Sequence, residues 1–331
     1  MPRITLDLDD LVAKGKLSPE EAERLSSLAV TGGGLTILIQ ALTILGALAM
    51  AAGVIVLKPD PTTGMVLAVL ALGFATYLHY AWRDSLWVLA SGIAIAGTFG
   101  LAGSLAMQMD GVLPAMGINA LATLIFLAAA LVFQSRFLIA FVPLGIAAIL
   151  GSNTAYWHAA YAIFVREPTL TALAFAVLAI GLFAASPRLG SIAAGMATVA
   201  ARMSWIIMNF GFWVGSLWGD YVGEHFMVTG DSWDQNREAL KAWREVALFI
   251  PDYMFVIAWA LASVATIILF RNNRFAVNAS ITFLAINAYT QFFERFADNP
   301  LTLILGGASL LLFAFGLFHF DRWASARRQE Q

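Results

Sequence analysis

The chain contains no cysteine and few charged residues. Of its 331 residues, 12% are charged and the formal net charge is −2. The absence of thiols excludes disulfides, thiolate metal ligands and a cysteine nucleophile. So little charge cannot cover a soluble globule of this size, and the thinly spread cations offer no basic face for nucleic acid. We therefore expect neither a soluble domain nor a nucleic-acid partner.

Hydrophobic residues make up 60% of the chain and are gathered into long runs. A run of about 20 apolar residues is long enough for a helix to cross a hydrocarbon core of about 30 Å. We therefore predict an all-α fold, a polytopic transmembrane helix bundle of about ten spans. The predicted spans are 35–57, 65–82, 86–107, 112–133, 137–152, 169–185, 192–217, 253–270, 275–293 and 301–318.

The sequence divides into a leader at 1–33, a transmembrane domain at 34–323 and a tail at 324–331. In the leader, 4–13 and 19–30 are predicted as two short helices separated at Gly15, with Ser18 as the N-cap of the second. The leader carries too many charges for the apolar core of a cleaved signal peptide. We therefore expect the N-terminus to be retained.

The distribution of lysine and arginine predicts the orientation. With ten spans, twelve cations, among them Arg83, Arg136 and Arg188, fall on the side that holds both termini, and six fall on the other side. Cytoplasmic loops retain lysine and arginine. Both termini are therefore predicted to be cytoplasmic, and a loop at about 219–252 is predicted to lie outside.

Two predicted spans carry polar residues on one helical face. In the span at 192–217, polar residues and two tryptophans recur at steps of three and four and therefore lie in one row. A second row runs from Asn287 to Glu294. One interpretation is an outward-facing cavity for a small solute or lipid, with Arg202 and Glu294 as charged gates. The other is a set of interhelical hydrogen bonds worth about 0.6 kcal/mol each, with Arg202 extending to the headgroups. The candidate residues are Arg202, Asn209, Trp213, Asn287, Gln291 and Glu294.

The outer loop holds a second group of candidates, Asp220, Glu224 and His225. Together with His158 they are the outer residues from which a metal site could be assembled. No two histidines share a helical turn, so the geometry that zinc requires is not indicated. We predict no metal and no cofactor. An amphipathic helix is predicted from Ser232 to about Leu248, as an interfacial helix or a lid.

The third predicted span contains a row of small residues. Gly92, Ala96, Gly100 and Ser104 recur every four residues and therefore lie on one face of a helix. Small residues allow two helices in lipid to approach closely. We predict that this row packs against another helix, with a hinge as the alternative.

The C-terminal third contains the segment RFAVNASITFLAINAYTQFFERF at 274–296, followed by NPL at 299–301 and FDRW at 320–323. Together with the leader segment LVAKGKLSPEE at 11–21, these residues resemble a family of bacterial integral membrane proteins of unknown function. The resemblance implies a multi-pass protein of the bacterial inner membrane with about ten helices. It implies no activity.

Two hypotheses about function follow. In the first, the protein handles a small solute or lipid at the polar faces. In the second, it is a non-catalytic scaffold or accessory subunit, whose partners are membrane lipids and a second copy or another membrane protein. An enzyme acting on a lipid-linked substrate ranks third, because no carboxylate pair can be placed at membrane depth.

Overall fold

The computed structural model shows a mainly helical chain in which consecutive helices pack side by side. It describes residues 11–12, 15–21, 42–46, 60–82, 86–157, 160–227, 233–271, 273–296 and part of 300–319. Outside these residues lie most of the leader, the predicted span at 35–57 apart from 42–46, Arg83, His158, part of the predicted span at 301–318, and the tail.

Between residues 60 and 296, long helices alternate with loops and with two small pairs of antiparallel strands. In chain order, the elements are α1 (Pro61–Ala81), α2 (Trp87–Met109), α3 (Ala115–Val132), α4 (Arg136–Ile139), α5 (Phe141–Ile149), β1 (Asn153–Trp157), β2 (Ala160–Phe164), α6 (Pro168–Ala185), a 3-10 turn (Ser186–Arg188), α7 (Ser191–Trp218), β3 (Asp220–Tyr221), α8 (Glu224–Met227), α9 (Trp233–Arg244), β4 (Phe249–Ile250), α10 (Asp252–Leu269) and α11 (Arg274–Phe296). The strands pair in antiparallel fashion, β1 with β2 and β3 with β4.

Within the described residues, six helices are long and apolar enough to cross a membrane: α1, α2, α3, α6, α7 and α10. Their outer faces expose large apolar side chains such as Leu70, Val177 and Leu261, as expected of helices that face lipid. The prediction of a helical bundle with membrane-length helices is confirmed. The number of ten spans and the side of the termini stay predictions.

The described part of the leader contains two local motifs. Gly15 has φ +65° and ends a helical turn, with the amide of Lys16 donating to the carbonyl of Leu11. Ser18 and Glu21 then form a reciprocal capping box, in which each side chain accepts from the backbone N–H of the other. The break at Gly15 and the cap at Ser18 therefore lie where the sequence predicts them.

The predicted span at 137–152 is instead two short helices, α4 and α5. Together they cover Arg136–Ile149, about 21 Å of helix, which is less than the hydrocarbon thickness. Pro143 explains the break, since it has no N–H to donate to the carbonyl of Ile139 and its ring crowds that carbonyl. The chain then leaves α5 at Gly151, with φ +80°, and enters the hairpin of β1 and β2, for which the apolar pattern gave no indication.

The predicted row of small residues on α2 faces neighbouring helices. A Cβ built on Gly92 would overlap Ile44, and one on Gly100 would lie 3.4 Å from Cβ of Ala68 on α1. At the end of the row, Ser104 contacts Gly64 of α1. Small residues on both helices therefore permit the close packing of α1 on α2.

Helix α7 lies at the centre of the second half of the bundle, where it packs on α5, α6, α10 and α11. Phe175, Trp205 and Met208 belong to one buried cluster between these helices. Near its C-terminal half, Gly211 lets α7 approach the backbone of α6. A Cβ at this position would lie 3.0 Å from the amide nitrogen of Ala172 and 3.1 Å from the carbonyl oxygen of Pro168.

The Gly211→Leu substitution tests this close approach. Because the neighbouring atoms are backbone and cannot move aside, we expect the free energy of unfolding in mixed micelles to fall by about 1–3 kcal/mol. Gly181→Leu is the control, since a Cβ at Gly181 on α6 meets no atom within 4 Å. Equal stability of the two variants would contradict the assigned packing.

Candidate functional site

The polar faces of α7 and α11 meet, and α10 joins them. The indole N–H of Trp213 on α7 donates to the hydroxyl of Thr290 on α11, at 3.1 Å. One turn further, the amide of Gln291 donates to the carbonyl oxygen of Ser216, at 3.3 Å. We call this interface the polar seam. Its members are Asn209, Trp213, Ser216, Trp259, Asn287, Thr290 and Gln291.

Asn209 connects α7 to α10 at the buried end of the seam. Its Oδ1 accepts from the indole N–H of Trp259 at 2.8 Å, and its Nδ2 donates to the carbonyl of Trp205 on its own helix, also at 2.8 Å. Asn209 and Trp259 are 2% and 1% exposed. Both side chains therefore satisfy their polar atoms without water, as polar groups in lipid require.

Asn287 is only partly satisfied. Its Nδ2 donates to the carbonyl of Val256 on α10 at 3.3 Å. Its Oδ1 is buried and has no hydrogen-bond partner, although the residue is 4% exposed. An unpaired buried amide oxygen costs about 1–3 kcal/mol, so the position carries a penalty that an apolar residue would avoid.

Arg202 and Glu294 do not take part in the seam. Arg202 is exposed, and its guanidinium lies 5.2 Å from the ring centroid of Phe275, near the start of α11. Glu294 is exposed near the opposite end of α11. Arg202 lies beside the start of α11 and Glu294 lies near its end, so the two charges are not close together, and their role as charged gates stays a prediction.

A second polar cluster lies where α6 begins and α7 ends, which we call the loop end. The carboxylate of Glu167, just before α6, is fully buried. Its two oxygens accept from the backbone N–H of Gly223, at 2.7 Å, and of His225, at 2.6 Å. Glu167 thus caps the N-terminus of α8 from a position more than 50 residues away in sequence.

Asp220, in the loop after α7, caps the N-terminus of α6 in the same way. Its Oδ2 accepts from the backbone N–H of Thr169 in the first turn of α6, at 2.8 Å, and the residue is 4% exposed. Each loop therefore supplies the cap of the other loop's helix. This exchange fixes the loop after α7 on the N-terminus of α6.

A partly exposed ion pair connects α9 to the loop end. Arg244 at the end of α9 forms a bidentate pair with Glu224, with N–O distances of 2.6 and 2.9 Å. The guanidinium also lies 5.1 Å from the ring centroid of Tyr221, and Tyr221 in turn contacts Phe249 across the antiparallel pair of β3 and β4. Since both charges are partly exposed, we expect this pair to contribute about 1 kcal/mol or less.

Burial changes the acidity of this cluster. It raises the pKa of Glu167 and the pKa of Asp220, and the neighbouring carboxylates add to the rise, although the backbone and Thr169 hydrogen bonds oppose it. Burial also lowers the pKa of His225, and the nearby Arg166 lowers it further. The imidazole packs on Gly151, and its Nδ1 is buried without a hydrogen-bond partner. The neutral form of His225 is therefore favoured.

The predicted loop residues Asp220, Glu224 and His225 are thus brought together, and the structure adds Glu167 and Arg244. Sequence reasoning assigned no role to Glu167, because a glutamate before a helix-starting proline reads as an ordinary exposed residue. Among the residues that the structure describes, no three histidine, aspartate or glutamate side chains are placed to hold a metal ion. The predicted helix from Ser232 to about Leu248 is α9, which ends at Arg244.

The fold and these two clusters define a helical bundle with membrane-length helices, a polar interhelical seam and a tied loop end. Comparisons of the chain with protein-family models, with curated proteins and with solved structures find no match. The family resemblance of the segments at 11–21 and 274–323 therefore stays a prediction.

The contact between Asn209 and Trp259 can be tested by Trp259→Phe. The substitution removes the indole donor to Asn209 and leaves a buried amide oxygen unpaired, so we expect a loss of about 1–3 kcal/mol in the free energy of unfolding. Trp218→Phe is the matched control, because Trp218 is exposed. Adding Asn209→Leu to Trp259→Phe should restore part of the loss. Additive effects in this double-mutant cycle would disprove the coupling.

The loop end should also make stability depend on pH. For Glu167 and Asp220, whose pKa is raised, the contribution to stability is complete below their ordinary values of 4.5 and 3.8 and is lost as pH rises through the raised values. For His225, whose pKa is lowered, the contribution is present above 6.5 and is lost as pH falls through the lowered value.

We therefore expect the thermal midpoint of a His225→Gln protein to fall as pH rises from about 4 to 7. Adding Glu167→Gln and Asp220→Asn should flatten this dependence, because both groups are then neutral throughout. Glu224→Gln in the same background serves as a control that removes an exposed carboxylate. Parallel plots of thermal midpoint against pH for all these proteins would refute the assignment of the pH dependence to Glu167 and Asp220.

Proposed function

We propose that this protein binds a small polar solute or a lipid headgroup at the polar seam between α7, α10 and α11, reached from the loop end. The observation that carries the proposal is the unpaired Oδ1 of Asn287, buried at the interface of α10 and α11. A donor that is not part of the described chain, from water or from a ligand, would remove its penalty.

The position of the seam supports this proposal. Ser216 and Gln291 lie within the last turns of α7 and α11, close to the loop end, whereas Asn209 lies deeper. Polar side chains therefore extend from the end of the bundle towards its interior. Such a row of polar side chains is energetically unfavourable in lipid unless it contacts other polar groups or water.

The chemistry of the seam indicates the class of ligand. Its side chains are amides, indoles and hydroxyls, and neither Arg202 nor Glu294 reaches them. The seam offers hydrogen bonds and aromatic surface but no formal charge. A neutral, hydroxyl-bearing solute or headgroup fits this lining better than a bare ion does.

The orientation belongs to the proposal as well. The positive-inside distribution supports a multi-pass protein of the bacterial inner membrane with both termini cytoplasmic. On that topology, the loop end with Glu167 and Asp220 faces outward. The seam would then open to the outside of the membrane.

A scaffold or accessory subunit is the second candidate, and one observation favours it. The donors of Trp213, Trp259 and Gln291 are already bound to neighbouring helices. If Asn287 alone is unsatisfied, the seam serves mainly to hold the helices together. The exposed helix faces would then be contact surfaces for a second copy or another membrane protein.

Single cysteines distinguish the two candidates, and the native chain provides a background free of thiols. Asn209, Trp213, Asn287 and Gln291 are replaced by cysteine one at a time in intact cells or oriented vesicles. We expect a membrane-impermeant maleimide, added from outside, to label Asn287→Cys and Gln291→Cys. Asn209→Cys should react more slowly, because that position is deeper.

Two positions calibrate this experiment. Val246→Cys, at an 85% exposed position of the loop that follows α9, reports full access from outside. Thr98→Cys, fully buried in α2, reports no access. Protection of all four seam positions at the level of Thr98→Cys would reject the solute or headgroup proposal and favour the scaffold.

A further inference from the structure

Exposed arginines gather at the end of the bundle opposite the loop end. They lie at the start of α4, in the turn after α6, about two fifths of the way along α7, between α10 and α11, and at the start of α11. None of them forms an ion pair with a carboxylate that the structure describes. The residues are Arg136, Arg188, Arg202, Arg271 and Arg274.

Two of these arginines lie along one face of α7. The guanidinium of Arg136 lies over Gly195, where a Cβ would come within 2.7 Å of its atoms. Gly195 and Arg202 are seven residues apart, which is two helical turns and about 10 Å along the same face. The absence of a side chain at Gly195 therefore leaves the space that Arg136 occupies beside α7.

Neighbouring helices form the walls of this face. Arg136 begins α4, on one side, and Phe275 of α11 lies beneath the guanidinium of Arg202 on the other. Small residues, Ala147 of α5 and Ala276 of α11, belong to the buried cluster below. Helices α4 and α11 both pack on α7, and the two arginines border the stretch of α7 between them, which we call the basic groove.

The depth of the groove matches the headgroup region. Helix α7 has 28 residues, about 42 Å, which exceeds the hydrocarbon core by about 12 Å. Arg202 lies 11 residues after Ser191, about 16 Å from the start of the helix. If the excess length protrudes at this end, its side chain reaches back to the level of the lipid phosphates.

We propose that this groove binds the phosphate of an anionic phospholipid, held by Arg136 and Arg202 together. Guanidinium groups form paired, charge-assisted hydrogen bonds with phosphate oxygens, and basic grooves between transmembrane helices suit anionic headgroups. The site is separate from the polar seam and does not depend on the function proposed there.

The general attraction of cationic loops to anionic membranes is the simpler explanation, and it makes a different prediction. On that explanation, every arginine at this end contributes equally to lipid binding. Arg188 provides the comparison, because it is exposed at the same end, and its Nη1 donates to the carbonyl of Ala184 in its own helix at 3.0 Å. Removing its charge should not affect a lipid bound in the groove.

The test uses the full chain, purified in a neutral detergent. Native mass spectrometry and thermal unfolding are recorded with phosphatidylglycerol, cardiolipin, phosphatidylcholine and inorganic phosphate. We expect selective binding of the anionic lipids and an increase in the thermal midpoint. Arg136→Gln and Arg202→Gln should each weaken this binding roughly fivefold, whereas Arg188→Gln should leave it within about twofold.

Three binding results would overturn the proposal. They are equal binding of anionic and zwitterionic lipid, equal losses in all three variants, and an equal effect of free phosphate. Arg202→Lys checks for damage to the fold, because lysine keeps the charge but not the paired geometry. A partial recovery of lipid binding in that variant supports the site. A loss of the thermal transition without lipid, in both Arg202 variants, would instead identify Arg202 as a structural residue and overturn the proposal as well.

Discussion

Polar groups in this bundle must find partners within the chain, because an apolar environment supplies none. Helix α7 meets this constraint through contacts to two other helices. Asn209 accepts a hydrogen bond from Trp259 of α10, and Trp213 donates one to Thr290 of α11. Each bond is worth little by itself, but the cost of leaving these groups unpaired fixes which faces of α7, α10 and α11 meet.

The same constraint operates at the loop end with charged groups. Glu167 and Asp220 are buried carboxylates that exchange caps between the loop before α6 and the loop after α7. Gly211, which lets α7 approach the first turn of α6, brings these loops within reach. The close packing of two helices and the capping of their ends are therefore one arrangement, and it positions the mouth of the proposed seam.

The local sequence pattern predicted the long helices well. A long apolar run that crosses a bilayer pairs its own backbone N–H and C=O groups when it is a helix. The pattern was less successful where a proline or a turn interrupts an apolar run. Pro143 interrupts the helix of the fifth predicted span, and the following residues form the β1–β2 hairpin. The spacing of Asn209, Trp213, Asn287 and Gln291 correctly indicated two polar faces, but it could not reveal which of their atoms would be paired.

By itself, the sequence determined the class of fold, the approximate ends of the long helices and the presence of polar faces, because hydrophobic length and helical period are local properties. Only the tertiary structure decided that Glu167 would cap α8, that Arg202 would lie over Phe275 outside the seam, and that one oxygen of Asn287 would be left unpaired. These contacts join residues far apart in the chain, and they follow from how closely the helices pack rather than from any neighbouring residue.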